Sequence, residues 1–348
     1  MREISSLTLV LSDRCNFACP YCPQRHGTNA LSIRDVTTFL EIVKPRLARQ
    51  VSLGFYGGEP LLSWRLIEEI LAHADSHFRD RFHFTLTTNG SLLTGPRVAF
   101  LKKHRVELVL SYDGLAQRAR DAGHLAAVEK ALALLQERYP GGYRIHSVFT
   151  PGTVPLLASS IAALLEQGHP RLQYALDACV PWKAADLKAL EEQLRRLAAR
   201  CRAHRQKTGR VPLENFKDNG QQGTFACFAG RDRLALLPER TIWGCALFHD
   251  LLGHDPAHPD YAKYCLGRLD EFASKPGPAL ASAARHAGTL HQDFFFSEKG
   301  DLCSLCDDLE RCAVCPATAA LASRTLGMIP SWTCRIRKIT RAAATAAP

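Results

Sequence analysis

The sequence predicts an α/β protein with a parallel sheet, followed by a small, irregular, cysteine-rich domain. Residues 1–180 alternate short β-rich runs with amphipathic helical stretches, the signature of repeated parallel βα units. From residue 225 that alternation fades, and cysteines appear at 227, 245, 265, 303, 306, 312, 315 and 334 among Gly, Pro and Asp. Three further cysteines are packed into eight residues after the first β-run, as Cys15-x3-Cys19-x2-Cys22.

The expected strands are 7–11, 51–55, 82–87, 106–111, 143–149 and 172–176, with helices such as 36–47, 64–74 and 125–137 between them. Six such repeats suffice for a partial barrel or a six-stranded open sheet. Both architectures gather ligands at the carboxyl ends of their strands, which is where the cysteine triplet falls. A long polar helix over 184–207 reads as a linker or brace. The predicted organisation is a barrel over 1–180, a helical linker over 181–224, a cysteine-rich domain over 225–338 and a flexible Ala-rich tail over 339–348. The third segment has few long apolar runs, so its order is expected to depend on metal.

Composition narrows the class. Of 348 residues, 46% are hydrophobic and 22% charged, which describes a globular chain and excludes a disordered one. No run of about eighteen apolar residues exists and the N-terminus lacks the pattern of a signal peptide, so no membrane span and a cytoplasmic location are expected. In a reducing compartment the 13 cysteines read as metal ligands before disulfides. The formal net charge of +10 raises nucleic acid as a partner. However, the basic residues are scattered along helical faces, as in 194–200, and cluster thiolates would add negative charge that the formal sum omits. Nucleic acid is not the expected partner.

Three thiolates on a cubane [4Fe-4S] cluster leave one iron without a protein ligand, open to coordinate another molecule. The alternative is half of a zinc site completed by a remote residue, but structural zinc uses paired Cys knuckles, and the triplet has no such partner within it. A zinc-stabilised basic binding module is the corresponding non-enzyme reading. One βα unit later comes Gly57-Gly58-Glu59-Pro60, whose glycines allow close backbone approach and whose carboxylate can accept hydrogen bonds from an ammonium group.

Taken together, Cys15-x3-Cys19-x2-Cys22 and Gly57-Gly58-Glu59-Pro60 resemble the radical S-adenosylmethionine (SAM) superfamily. The resemblance implies a partial (βα)6 TIM-like barrel, and a [4Fe-4S] cluster held by Cys15, Cys19 and Cys22. It also implies reductive cleavage of SAM to a 5'-deoxyadenosyl radical. Carried over by position, Tyr21 would lie near the adenine, and Gly57, Gly58 and Glu59 would meet the methionine amino group. Asn89 in Thr88-Asn89-Gly90 and Ser111 in Ser111-Tyr112-Asp113-Gly114 would meet the ribose or methionine, and Arg118 or Arg120 the SAM carboxylate.

The C-terminal run Cys303-x2-Cys306-x5-Cys312-x2-Cys315, with Cys227, Cys245 and Cys334, resembles the SPASM extension of peptide-modifying and sulfatase-maturing members. By that family's interleaved ligation, Cys303, Cys306, Cys312 and Cys334 would hold one auxiliary [4Fe-4S] cluster, and Cys227, Cys245 and Cys315 another. Cys265 is either its fourth ligand or a buried apolar thiol. Two departures stand out: Arg240 occupies a position that is usually Gly, and the Cys312–Cys315 spacing is one residue short. Cys179 and Cys201 fall outside the pattern and read as structural thiols.

The resemblance points to oxidative modification of a ribosomally made peptide, for example by a thioether or other cross-link. Formylglycine formation is an alternative. Sulfatase maturases carry Asp after a cluster cysteine, whereas Ala246 follows Cys245 here, which leaves Asp250 and Asp177 as base candidates. A glycyl-radical activase is another alternative. The implied partners are a precursor peptide or protein and a reductant such as flavodoxin or ferredoxin. The first strand starts within ten residues of Met1, so a separate leader-peptide-binding protein is also expected.

Overall fold

The computed structural model describes residues 3–217, 227, 229–289, 296–297, 302–307, 312 and 314–345. In chain order the elements begin with β1 (Ile4–Val10), α1 (Ile33–Val43), β2 (Leu47–Tyr56), α2 (Trp64–His77), β3 (Phe82–Thr88), α3 (Gly95–Lys103) and β4 (Glu107–Ser111). There follow α4 (Gln117–Arg120), α5 (Leu125–Arg138), β5 (Tyr143–Phe149), α6 (Leu157–Glu166), β6 (Leu172–Leu176) and α7 (Ala184–Thr208). The C-terminal part holds β7 (Arg233–Leu236), β8 (Thr241–Trp243), α8 (Ala246–Leu252), α9 (Tyr261–Tyr264), β9 (Cys265–Arg268), α10 (Leu269–Ser274) and α11 (Pro276–Thr289). It ends with β10 (Phe296–Ser297), α12 (Pro316–Ser323), β11 (Met328–Ile329) and α13 (Ser331–Thr345).

The chain forms two compact units, 1–18 with 22–108 and 227–290, and 19–21 with 109–226 and 291–348. In the first unit the strand order is β3-β2-β1-β7-β8-β9. Strands β3, β2, β1 and β7 run parallel, and β8 and β9 add antiparallel turns at the end. Alternation decides which face is inside: Leu7, Leu9, Val51, Leu53 and Phe55 are buried, as is the apolar stripe of α1, Val36, Phe39, Leu40 and Val43. Ser32 caps α1 in a reciprocal box with Asp35.

In the second unit β6 pairs in parallel with β5, and Tyr143-Arg-Ile-His-Ser-Val-Phe149 alternates strictly between buried and part-exposed positions. Among the described residues neither unit pairs its end strands, so the parallel sheet is open, as a partial barrel requires.

All six predicted strands are present, but the linear division into domains is corrected in three places. The region after 225 does not stand alone: Leu234, Ala235 and Leu236 pair with β1 and are buried, as are Ile242, Trp243, Phe248 and Phe272, so residues 227–290 add apolar side chains to the first unit. The 184–207 helix is more than a linker. Leu187, Leu190, Leu194, Leu197, Ala198 and Cys201 recur at helical spacing and are buried against α6 and α13. The tail expected to be flexible from 339 is the second half of α13, helical to Thr345, with residues 346–348 outside the described set.

Candidate active site

The carboxyl ends of β1, β2 and β3 build the first part of the site. Gly58 N–H donates to Ser12 O (3.0 Å) and Glu59 N–H to Arg14 O (2.8 Å), so the segment after β2 is pinned to the approach to Cys15. This contact requires the glycines. Gly57 has φ +130°, and a Cβ there would lie 2.6 Å from Ser12 O, while one on Gly58 would lie 2.2 Å from Arg14 O. The loop is closed behind the cysteines by Asp13 N–H to Asn29 O and Gly27 N–H to Asp13 O.

Glu59 is 1% exposed and its carboxylate faces inward. Oε1 accepts from Thr88 Oγ1 (2.7 Å) and Leu61 N–H (3.0 Å), and Oε2 from Asn89 N–H (2.8 Å). Burial still holds its pKa above the ordinary value, with these three donors opposing the rise. The Glu59 side chain ties the β2 and β3 ends together through these three bonds. Asn89 is likewise engaged within the protein: its Nδ2 donates to Asn16 Oδ1 (2.9 Å), and its Oδ1 accepts from Ser91 N–H and Oγ. Asn16 in turn donates to Ser91 Oγ (2.9 Å). Thr88, Asn16 and Ser91 were not among the expected site residues, although Asn16 lies inside the cysteine triplet.

In the second unit Asp113, 1% exposed, is the hub. Its Oδ2 accepts from the Tyr21 hydroxyl (2.5 Å), and its Oδ1 from Val148 N–H (2.7 Å) and Arg120 Nη1 (3.1 Å). The Arg120 guanidinium lies 5.4 Å from the Tyr21 ring centroid. Burial works against the Arg120 charge, but Asp113, Tyr21 and a hydrogen bond to Cys19 hold its pKa above the ordinary value. Arg120 thus forms an ion pair with Asp113 within the protein, and the Tyr21 hydroxyl is engaged by the same Asp113. Arg118 is exposed on α4, and Ser111 lies part-exposed at the end of β4. Asp177 is 9% exposed, its pKa raised by burial, and it accepts from Cys179 N–H (3.1 Å).

Asp250 sits in the first unit, in a cleft of about 220 Å³. Ser12 and Asp13 line it from the loop after β1, Arg25 and His26 from the same loop further on, Glu239 from the turn after β7, and Ala246, His249 and Asp250 from α8. Burial, Asp13 and Glu239 push the Asp250 carboxyl up to about 7, and burial with Glu239 pushes Asp13 up to about 6.

None of the thirteen cysteines forms a disulfide. Cys15 Sγ accepts from Phe17 N–H (3.4 Å). Cys303, Cys306, Cys312 and Cys334 all belong to the second unit. Burial, then Cys334, Cys312 and Cys306, push the Cys303 thiol up to about 11. Cys334 is raised by burial and by Cys312 and Cys306, so these four thiols stand in one neighbourhood. Among the described residues no three His, Cys, Asp or Glu side chains are spaced to hold a single metal ion. Cys265 accepts hydrogen bonds from Tyr261 and Gly267 N–H, and burial raises its pKa. Cys227 and Cys245 are part-exposed in the first unit, and Cys315 in the second. Cys201 is fully buried and pushed up to about 12, as a structural thiol would be.

Among the described residues no helix is long and apolar enough to cross a membrane. Residues 9–153 match the family model of the radical SAM superfamily. The GTP 3',8-cyclase of Corynebacterium glutamicum (strain R) is 32% identical over 322 residues, covering 80% of this chain and 83% of that protein. The radical SAM cyclopropyl synthase TigE of Paramaledivibacter caminithermalis is 30% identical over 129 residues, or 32% of this chain; the chain spans only 27% of that relative. The solved chain of native anSMEcpe with bound AdoMet has a TM-score of 0.74 at 18% identity, covering 98% of this chain and 97% of that one. SuiB of Streptococcus suis bound to the precursor peptide SuiA has a TM-score of 0.61 at 16% identity, with 96% and 76% covered. The superfamily implies a [4Fe-4S] cluster and SAM. The glycine-cradled loop and its three non-disulfide cysteines suit a thiolate-held cluster. By the family match, and by the cyclase likeness over most of both chains, this chain belongs to the radical SAM superfamily.

Proposed function

We propose that the chain oxidatively modifies a ribosomally made peptide, with Cys15, Cys19 and Cys22 holding the SAM-binding cluster and the C-terminal cysteines holding auxiliary clusters. The observation that carries this reading is the grouping of Cys303, Cys306, Cys312 and Cys334, the four thiols that the SPASM pattern assigns to one auxiliary cluster. Structural neighbours add support, since anSMEcpe is solved with AdoMet and a Cp18Cys peptide, and SuiB with its precursor peptide. When bound, the cluster and SAM supply a radical able to abstract hydrogen from an unactivated C–H bond. The chain's own residues then position and select: Glu59 fixes the β2 and β3 loops, Asp113 holds Tyr21 and Arg120 beside Cys19, and the Asp250 cleft faces solvent with charged side chains. A reductant such as flavodoxin or ferredoxin completes the reading.

The cyclase relative favours a second reading, a nucleotide substrate, because its likeness covers 83% of that protein. Anaerobic reconstitution should give about twelve irons per chain if all three clusters are cubanes. SAM cleavage under dithionite should vanish when Cys15, Cys19 and Cys22 are replaced by Ala; cleavage that persists undiminished would sink the mechanism. Mass spectrometry of a co-expressed precursor peptide, run beside an incubation with GTP, decides between the substrates. A mass change in the peptide alone supports the first reading, and GTP consumption alone overturns it.

A further inference from the structure

We infer that the cleft between the loop after β1 and α8 is a subsite for a primary ammonium group, the kind that a lysine side chain or a peptide N-terminus presents. The assignment of that group to a peptide rests on the proposed function; the site itself does not.

The charges that line the cleft call for a cation. Asp13, Glu239 and Asp250 come from three separate segments and face one space of about 220 Å³. Arg25 is the one arginine or lysine among the lining residues. The other titratable groups there are His26, His249 and His254. His249 and His254 have their pKa lowered, first by burial, and so favour the neutral form. His249 Nε2 stands 3.7 Å from Glu239 Oε2. Three acidic side chains thus line a cleft with a single guanidinium, that of the exposed Arg25, and burial, with the charges of Asp13 and Glu239, lifts Asp250.

A second observation is independent of the acids. Ser12 is 1% exposed, lines the same cleft, and its Oγ has no hydrogen-bond partner. Buried hydroxyls ordinarily find partners inside the protein, so an orphan on the wall of an acidic cleft marks where a ligand atom would sit. The donor count fits. An ammonium offers three N–H groups and a compact charge, suited to carboxylates and a hydroxyl that converge from different directions. A bare ion fits less well, because among the described residues no three such side chains are spaced to hold one. The cleft includes Gly58 but lies along β1 and β7, whereas the Glu59, Thr88 and Asn89 network lies along β2 and β3.

The test is a binding titration on the reconstituted holoenzyme saturated with SAM, without reductant so that no turnover occurs. The probes are a short peptide carrying one lysine, the same N-acetylated peptide with norleucine instead, and n-butylamine against n-butanol. The lysine peptide should bind about tenfold more tightly than the norleucine peptide, the scale of one charge-assisted contact. Asp250→Asn combined with Glu239→Gln should bring that preference close to one, and Ser12→Ala should reduce it by a smaller factor. Preference for butylamine over butanol without any lysine preference keeps the site and assigns it to a free amine. Equal affinity for the lysine and norleucine peptides together with no butylamine preference overturns the inference, as does full preference in the double variant. A preference present without SAM but abolished by saturating SAM also overturns it, since the cleft would then be the amino subsite of SAM itself. The wild-type comparison stands even if a variant fails to fold. Because the readout is binding, it is separable from the proposed function: a peptide can prefer the cleft and remain unmodified, or be modified with no lysine preference.

Discussion

Glu59 and Asp250 are carboxylates of the same unit, and their surroundings differ in kind. Glu59 is the more buried, yet three donors converge on its two oxygens from Leu61, Thr88 and Asn89. Asp250 has Asp13 and Glu239 as its electrostatic neighbours, and both raise its pKa. Asp113 in the second unit is of the Glu59 kind, engaged by Tyr21, Arg120 and Val148. Burial alone therefore does not tell structural acids from candidate binding acids. The count of donors aimed at the carboxylate does, because a satisfied buried charge stabilises one arrangement while an unsatisfied one is a reservoir of unfavourable energy that a ligand can relieve.

Removing a satisfied acid should have the largest effect. Asp113→Ala leaves the Arg120 guanidinium, 8% exposed, without its carboxylate. A loss of about 3 to 5 kcal/mol in urea-unfolding free energy is expected. The variant should also hold less iron after reconstitution, because Tyr21 and the neighbour of Cys19 lose their anchor. Unchanged stability would place Asp113 with the cleft acids instead.

The cleft acid should respond with the opposite sign. A carboxyl raised from 3.8 to about 7 contributes stability that is fully present below pH 3.8 and is lost as pH rises through 7. Above that pH the native state carries a charge it disfavours. Asp250→Asn should therefore raise the unfolding free energy at pH 8 by roughly 2 to 4 kcal/mol, at about 1.4 kcal/mol for each tenfold change in the acid's ionisation equilibrium, and have little effect near pH 4. Parallel stability curves for variant and wild type between pH 4 and 8 would erase the contrast.

Half of this contrast was legible in the chain itself. The triplet and Gly57-Gly58-Glu59-Pro60 are local signals, each complete within a few residues, and the six strands announce themselves by alternation. The cleft is not local. Ser12 and Asp13 meet Glu239 and Asp250 because β7 pairs with β1 across more than two hundred residues, and β7 is a four-residue strand, Arg233-Leu-Ala-Leu236, too short for periodicity to reveal. Asp250 could be named as a base candidate from its distance to Cys245, but not its company. Glu59 could be named as a site residue, but the direction its carboxylate takes depends on Thr88 and Asn89 of the next strand. Tyr21 and Arg120 were legible as site residues for the same reason, while Asp113, which binds them both, read only as part of a turn.

A finer test of donor count is Glu59→Gln, which preserves shape and one acceptor oxygen. The carboxamide oxygen can still accept from Thr88 and Leu61, but the NH2 group then faces Asn89 N–H, donor against donor. The expected loss is about 1 to 3 kcal/mol, that of one buried unsatisfied donor. It should be smaller than the loss for Asp113→Ala, and opposite in sign to the change for Asp250→Asn. If Glu59→Gln instead gains stability at pH 8, burial outweighs its three donors and Glu59 behaves as the cleft acids do.

The smallest effect is expected at Arg240, where the SPASM resemblance leads one to expect Gly. Arg240 closes the turn between β7 and β8 with φ +62°, a left-handed conformation that ordinarily favours Gly. What the side chain adds is a pair of contacts: Nε lies 2.8 Å from Asp35 of α1, and Nη2 lies 2.6 Å from Asp270 of α10. Arg240→Gly relieves about 1 kcal/mol of backbone strain and gives up two part-exposed ion pairs of similar total size. The net change in unfolding free energy should therefore stay within about 1 kcal/mol at low salt. Added salt screens ion pairs but not φ, so the variant should become the more stable of the two as ionic strength rises. A deficit in the variant that persists undiminished in 1 M salt would mean that Arg240 acts through packing rather than charge.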